Sequence, residues 1–149
     1  MQLNGSAGAK NQLLALSAEG CFSGNVGDVS KLPALADATD TKATLDWRVR
    51  SYLAVNCVMC HQPGGAQGSW DARPTSANAA LVGAKPIDPK GDDSRLLIAP
   101  GDPAHSMLLL RLAGNGVPRM PPVATNVVDE RAIKMLTEGI EEVGKRADK

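Results

Sequence analysis

Two cysteines and a histidine near the middle of the chain have the spacing Cys57-x-x-Cys60-His61. Two thiols three positions apart can add to the two vinyl groups of one porphyrin, and a histidine directly after the second thiol is then placed beneath the iron as an axial ligand. This stretch sets both the cofactor and its orientation, and the remaining chain must fold around them. The sequence therefore predicts one covalently attached haem c.

Three other interpretations of the motif remain open. A zinc site needs further ligands with similar spacing, and the remaining candidates are the isolated Cys21 and His105. A thioredoxin-like redox pair belongs between a strand and a helix of a βαβ unit, a pattern that the flanking sequence does not show. The third interpretation is chance. The motif and its surroundings together favour haem attachment.

The composition agrees with a core that is completed by a large apolar group. The chain is 43% apolar, which is ordinary for a globular protein, but it has only four aromatic residues, namely Phe22, Trp47, Tyr52 and Trp70. Lys plus Arg and Asp plus Glu both total 16, and no basic run indicates nucleic-acid binding. Partners are expected to be proteins.

The start of the chain shows no export signal and no apolar run is long enough for a transmembrane segment. We expect the chain to be a piece of a longer protein, with an export signal or preceding domains outside it. Turn-forming residues between 23 and 41 predict an N-terminal extension or linker over 1–40, followed by the main domain over 41–149. Cys21 is interpreted as a small buried hydrophobic residue rather than a bridge to another chain.

Four helices are expected from periodicity and capping residues, with no strand pattern of convincing length. A first helix covers about 11–19, and a second runs from about Thr44 into the motif. A third, of about ten residues, begins at Asp102 and ends at Gly114, and a fourth runs from Asp129 to Gly144. The stretch 66–100 is predicted to be loop with at most one short helix.

Met120 is the candidate for the second axial ligand of the iron. It lies on no helical face, and the prolines after it restrict the backbone. A thioether presented from a stiff loop suits His/Met ligation. The sequence therefore assigns cofactor contact to Cys57, Cys60, His61, Arg119, Met120 and Pro121, with His61 and Met120 on the iron.

Other potential ligands are less suitable. Met59 lies inside the attachment loop and cannot easily reach across the porphyrin, while Met107 and Met135 lie on helical stripes that are typical of a core. His105 is the main rival, and we interpret it as an ordinary half-exposed histidine.

Three segments together resemble a class I c-type cytochrome domain, similar to the C-terminal modules of larger secreted bacterial oxidoreductases. They are residues 50–65 (RSYLAVNCVMCHQPGG), 98–106 (IAPGDPAHS) and 119–122 (RMPP), and the resemblance covers about 41–144. Two departures matter. Relatives often carry an aromatic residue in the last helix, where this chain has Thr-Glu-Gly-Ile at 137–140, so a looser helix crossing is expected. Some similar proteins bind two haems, but a second attachment motif is absent here.

The resemblance implies an all-α cytochrome c fold of about four to five helices around one haem, with long loops and the first and last helices crossing beside the cofactor. It also implies haem attachment in the periplasm. The implied function is one-electron transfer from a periplasmic dehydrogenase to a downstream cytochrome or oxidase. Such a domain is a carrier rather than an enzyme, either alone or within a larger oxidoreductase.

Two other functions remain open. The chain is alternatively a haem-based sensor or ligand-binding domain, in which Met120 leaves the iron when a gas binds. It is alternatively a structural zinc module. Binding of carbon monoxide to the reduced protein discriminates a sensor from an electron carrier, and a colourless protein that contains metal would indicate zinc.

Overall fold

The computed structural model describes residues 11–67, 69–76, 81–123 and 126–147. Regular structure in these ranges is mostly helical and includes no β-strand, which agrees with the predicted all-α class. The helices are α1 (Gln12–Ala18), α2 (Leu45–Asn56), α3 (Met107–Ala113) and α4 (Glu130–Ala147), with a 3-10 turn at Val29–Lys31. The first ten residues of the predicted extension, and residues 77–80 of the predicted loop, lie outside the described residues.

The segment before α2 is attached to that helix by three hydrogen bonds. The Trp47 indole N–H donates to the carbonyl of Ala34 at 2.9 Å, and the backbone N–H of Ala36 donates to the buried Ser51 hydroxyl at 3.0 Å. The Arg48 guanidinium donates to a third carbonyl, that of Ala38, at 3.0 Å. The end of the predicted extension therefore contacts the main domain, and a boundary at residue 40 stays a prediction.

Helix α2 begins and ends where the sequence predicts. The Thr44 hydroxyl accepts a hydrogen bond from the Trp47 N–H at 3.2 Å, which is the usual bond of an N-cap. Leu45 and Val49 on its apolar stripe pack toward the core. The helix ends at Asn56 with Cys57 as its C-cap, so the first cysteine of the motif lies at the end of α2.

The hydrophobic core lies between α4, α3 and α2. Asp129 caps α4 as predicted, since its carboxylate accepts from the Ala132 N–H at 3.0 Å. The buried side of α4 then packs against α3 and against Ile98 from the preceding loop, while α2 covers this cluster from the other side. The buried members are Ile98, Leu109, Leu112, Ala132, Met135, Leu136 and Ile140.

The prediction that α4 ends at Gly144 is wrong, because the helix continues to Ala147. Gly144 instead allows a loop to lie against the helix. A Cβ at position 144 would be 2.5 Å from the Cα of Gly101, and the Gly101 N–H donates to the Ile140 carbonyl at 3.0 Å. Gly144 is therefore needed for close packing of the helix against the loop, and it does not end the helix.

A second glycine of α4 brings this helix close to α2. A Cβ at Gly139 would be only 3.0 Å from a methyl group of Val49. Position 139 lies in the Thr-Glu-Gly-Ile stretch at 137–140, for which the resemblance predicts a looser helix crossing. The two helices are therefore in close contact at this point, and the expected looseness of their crossing stays a prediction.

The predicted start of α3 at Asp102 is also wrong, since the helix begins at Met107 with Ser106 as its N-cap. The Leu96 N–H donates to the His105 carbonyl at 3.1 Å, and the Met107 N–H donates to the Leu96 carbonyl at 2.8 Å. This pairing holds Ser106 in an extended conformation. Tertiary pairing has therefore overridden the local start signal, whereas the predicted end at Gly114 is confirmed.

Candidate functional site

The attachment motif forms a compact turn directly after α2. The Cys57 N–H makes the last α2 hydrogen bond, to the Leu53 carbonyl at 2.9 Å. The chain then folds back, so that the N–H groups of Cys60 and His61 both donate to the Cys57 carbonyl, at 3.1 and 2.8 Å. One backbone oxygen thus organises the two cysteines and the histidine into a single unit.

The loop after the motif returns to it through a glycine. The Gln67 N–H donates to the Cys60 carbonyl at 3.0 Å, which closes the loop. A Cβ at Gly65 would be 2.5 Å from the same carbonyl oxygen, closer than any side chain can approach. Two glycines, Gly64 and Gly65, follow the motif in the sequence. Gly65 is required because the chain packs closely against the motif at this position.

The Cys57 thiol faces an apolar cluster. Leu53, Trp70 and Ala72 form its buried centre, and the residues packed against them include Cys57, Val58, Leu97 and Leu108. Burial, and to a smaller extent the nearby Cys60, raise the pKa of the Cys57 thiol to about 11. Both thiols are free. Since the thiolate is the reactive form in disulfide exchange, this environment does not activate Cys57 for redox chemistry of the thioredoxin type.

The His61 ring lies against Trp70, with the ring centroids 4.4 Å apart and the planes inclined by 25°. Its Nδ1 atom is buried and has no hydrogen-bond partner among the described residues. Burial lowers the pKa of the imidazole, while the Gln67 backbone acts in the opposite direction. The ring is therefore favoured in its neutral form, which is the form that binds metals.

The contact between Trp70 and His61 was not predicted from the sequence. Trp70 lies in a polar loop stretch without periodicity, and nothing in its spacing indicates a partner. The only feature of the sequence that draws attention to Trp70 is that the chain has just two tryptophans. The Ala72 N–H donates to the His61 carbonyl at 2.8 Å, which holds the tryptophan loop next to the motif.

These features fit a covalently attached haem. Two thiols and an imidazole come from one turn, apolar side chains lie beside Cys57 and His61, and a buried ring nitrogen of His61 lacks a partner among the described residues. Porphyrin attachment needs the thiols, a flat ligand needs the apolar side chains, and an axial histidine needs a ring nitrogen that no protein group occupies. The residues that would hold the cofactor on this side are Cys57, Cys60 and His61.

Met120 lies in a loop that is attached to the end of α3. Its N–H donates to the Arg111 carbonyl at 2.9 Å, its side chain is half-buried, and the Met120–Pro121 peptide is cis. Leu108, three residues before Arg111 on α3, packs against the Cys57 cluster. One short helix, α3, therefore contacts both the Cys57 cluster and the Met120 loop, which are distant in sequence.

The remaining ligand candidates lie in different environments. The His105 ring nitrogen Nδ1 is 2.6 Å from the Asp102 carboxylate, and Nε2 is 4.0 Å from that of Asp92. The side chain is 45% exposed, as predicted for an ordinary histidine. Met59 is 70% exposed, and Met107 and Met135 are buried in the core, as their helical positions predicted.

The expectation that Cys21 is buried is wrong, because its side chain is exposed. It lies just after α1, a helix of seven residues without a buried member. An interpretation based on the general tendency of free cysteines to be buried fails here because this part of the chain has little core to enter.

A cleft of about 70 Å³ lies between the first half of α2 and the last part of α4. It does not include the attachment motif or Met120. Its charged side chains form ion pairs within the chain, namely Asp46–Arg50, Asp71–Arg73 and Glu142–Arg146. Because these charges are already paired, the cleft does not compete with the motif as the candidate site.

Metal-binding clusters and membrane-spanning helices are both absent from the part of the chain that the structure describes. In that part of the chain, no three His, Cys, Asp or Glu side chains are arranged to hold a metal ion by themselves. None of its helices combines the length and the apolar character that crossing a membrane requires. Compared with known proteins, the chain matches no family model, no curated protein and no solved structure.

Proposed function

We propose that the protein is a one-electron carrier that holds a single c-type haem through Cys57 and Cys60, with His61 and Met120 as axial ligands. The observation that carries the proposal is the turn after α2, which brings both thiols and the imidazole together. Cys57 packs against an apolar cluster, His61 stacks on Trp70 of that cluster, and the ring nitrogen Nδ1 is buried without a partner among the described residues. The resemblance of the motif segments to class I c-type cytochromes supports the same assignment.

Each residue has a distinct role in this proposal. Cys57 and Cys60 anchor the porphyrin by thioether bonds, and Trp70 orients the His61 ring by stacking on it. Arg119 and Pro121 flank Met120 and restrict the loop that presents its thioether. When bound, the haem iron supplies a reversible one-electron couple.

His/Met ligation favours electron transfer over catalysis. A methionine ligand raises the iron potential, and two protein ligands leave no open position for a substrate. The proposed partners are a dehydrogenase that donates electrons and a cytochrome or oxidase that accepts them, in the periplasm or another exported location. Positive and negative side chains are equal in number, so only weak long-range steering between the partners is expected.

Carbon monoxide tests this function against the sensor alternative. The protein is produced with a haem-attachment system, reduced, and titrated with carbon monoxide at neutral pH while its absorption spectrum is recorded. An electron carrier with a stable Met120 bond is expected to show no spectral change, and its potentiometric titration should fit a reversible one-electron couple. Stoichiometric carbon monoxide binding by the wild-type protein would instead favour the sensor.

A further inference from the structure

Arg111, in the last turn of α3, binds the methionine loop through both its backbone and its side chain. Its carbonyl accepts from the Met120 N–H at 2.9 Å, and its guanidinium Nη1 donates to the Pro118 carbonyl at 2.8 Å. The last carbonyls of an α-helix have no partner within the helix, so they are available for such bonds. Arg111 therefore fixes the loop at two points, Met120 and Pro118.

A second contact fixes the same loop at the end of the helix. Gly114 ends α3 in the left-handed conformation, with φ of 72°. A Cβ there would lie 2.9 Å from Arg119 Nε, so a side chain at this position would displace the arginine. The Arg119 guanidinium also lies 3.5 Å from the Ala113 carbonyl. Positive charge is favourable at this end of a helix.

The position of Arg111 on α3 connects the loop with the attachment motif. Residues three apart on a helix are neighbours on its surface, so Arg111 lies on the same side as Leu108. Leu108 packs against the cluster that contains Cys57. The helix that contacts the attachment side therefore also sets the position of the methionine loop.

We propose that Arg111 is a positioning residue that keeps the Met120 loop closed, so that the thioether stays on the iron. This inference rests on the proposed function. A thioether is a soft ligand and binds ferric iron weakly, so its occupancy depends on the protein holding it in place. Removing the guanidinium releases the Pro118 carbonyl and lets the loop open, after which an added ligand can replace Met120.

Imidazole binding to the ferric protein tests this role, because imidazole must displace the methionine before it can bind. The variants are Arg111→Gln, Arg111→Lys and the matched control Arg50→Gln. Arg50 also donates to loop carbonyls, those of Pro74 and Ser76 at 3.2 and 2.8 Å, but on another loop. The apparent imidazole affinity is read from the Soret shift, and urea unfolding of each variant measures stability separately.

In Arg111→Gln, imidazole is expected to bind about fivefold more tightly than in the wild type, as follows from losing one hydrogen bond of typical net strength. Arg111→Lys keeps the charge but not the planar geometry of the donors, so an intermediate value is expected. In Arg50→Gln, a loss of stability without a change in imidazole affinity would show that general destabilisation does not open the loop.

An affinity within twofold of wild type in Arg111→Gln, with the methionine band of the wild type present, overturns this inference and leaves the proposed function intact. A similar gain in Arg50→Gln overturns it as well. If Arg111→Gln does not fold, Arg111→Lys decides, and an affinity equal to that of the wild type overturns the inference. A wild-type protein without a methionine bond to the iron overturns both the inference and the ligand assignment.

Discussion

Met120→Ala is expected to change a six-coordinate haem protein into one with an open iron face. The weak red absorption band of a methionine-sulfur to ferric-iron bond disappears, and the reduced variant binds carbon monoxide. Its reduction potential falls by on the order of 0.1 V, a fraction of the range over which axial ligands set haem potentials. Absorption spectra of both oxidation states and a potentiometric titration provide these measurements.

Met59→Ala is the matched control for this experiment. Met59 lies within the attachment motif but is 70% exposed, so its removal leaves the red band and the potential unchanged. Retention of the band in Met120→Ala would show that another side chain binds the iron. Loss of the band in Met59→Ala would reverse the assignment of the two methionines.

Replacing both Cys57 and Cys60 by serine is expected to abolish covalent haem attachment. A hydroxyl does not form the thioether bond, so the intact mass of the purified variant equals that of the polypeptide alone. Denaturing gels stained for haem show no coloured band. Each single variant retains one thioether position, and a lower yield of attached haem is expected for it.

Cys21→Ser separates this effect from the general loss of a thiol. Cys21 is exposed and lies outside the motif, so its replacement leaves the mass of the haem-bearing protein unchanged apart from the substitution itself. Covalent haem on the double variant would contradict the attachment assignment. Loss of haem in Cys21→Ser would mean that the N-terminal segment takes part in the site.

The sequence was most informative where local chemistry decides the structure. Asp129 caps α4 through its side-chain oxygen as predicted, and the Thr44 hydroxyl caps α2 at the predicted start of that helix. Such caps depend on residues within three positions. The spacing of apolar residues predicted that α2 runs as far as the motif. The helix ends at Asn56, before Pro63 and the two glycines that cannot continue a helix.

The sequence was least informative where distant segments meet. Gly144 has the composition signal of a helix stop, but its role is to accommodate Gly101, which is distant in sequence. Asp102 has the signal of a helix start, yet its carboxylate binds the N–H groups of Ala104 and His105 in a turn. Because Leu96 pairs with Ser106, α3 begins only at Met107. Such contacts leave no trace in local periodicity.

The candidate site also combines predictable and unpredictable features. The spacing of Cys57, Cys60 and His61 is enough to select them as candidate site residues. The stacking of Trp70 on His61, in contrast, depends on how a polar loop returns to the motif. The attachment of the Met120 loop to Arg111 likewise depends on the end of a helix nine residues earlier in the chain. Periodicity identifies which residues form a helix, but not which loop carbonyl a surface arginine binds.

The absorption spectrum of the ferric wild-type protein, produced with a haem-attachment system, tests the central proposal most directly. One covalent haem per chain and the weak red band of a methionine–iron bond are predicted. A five-coordinate spectrum would indicate ligand binding or catalysis, and a bis-histidine spectrum would point to His105. A colourless protein that contains zinc would contradict the haem assignment altogether.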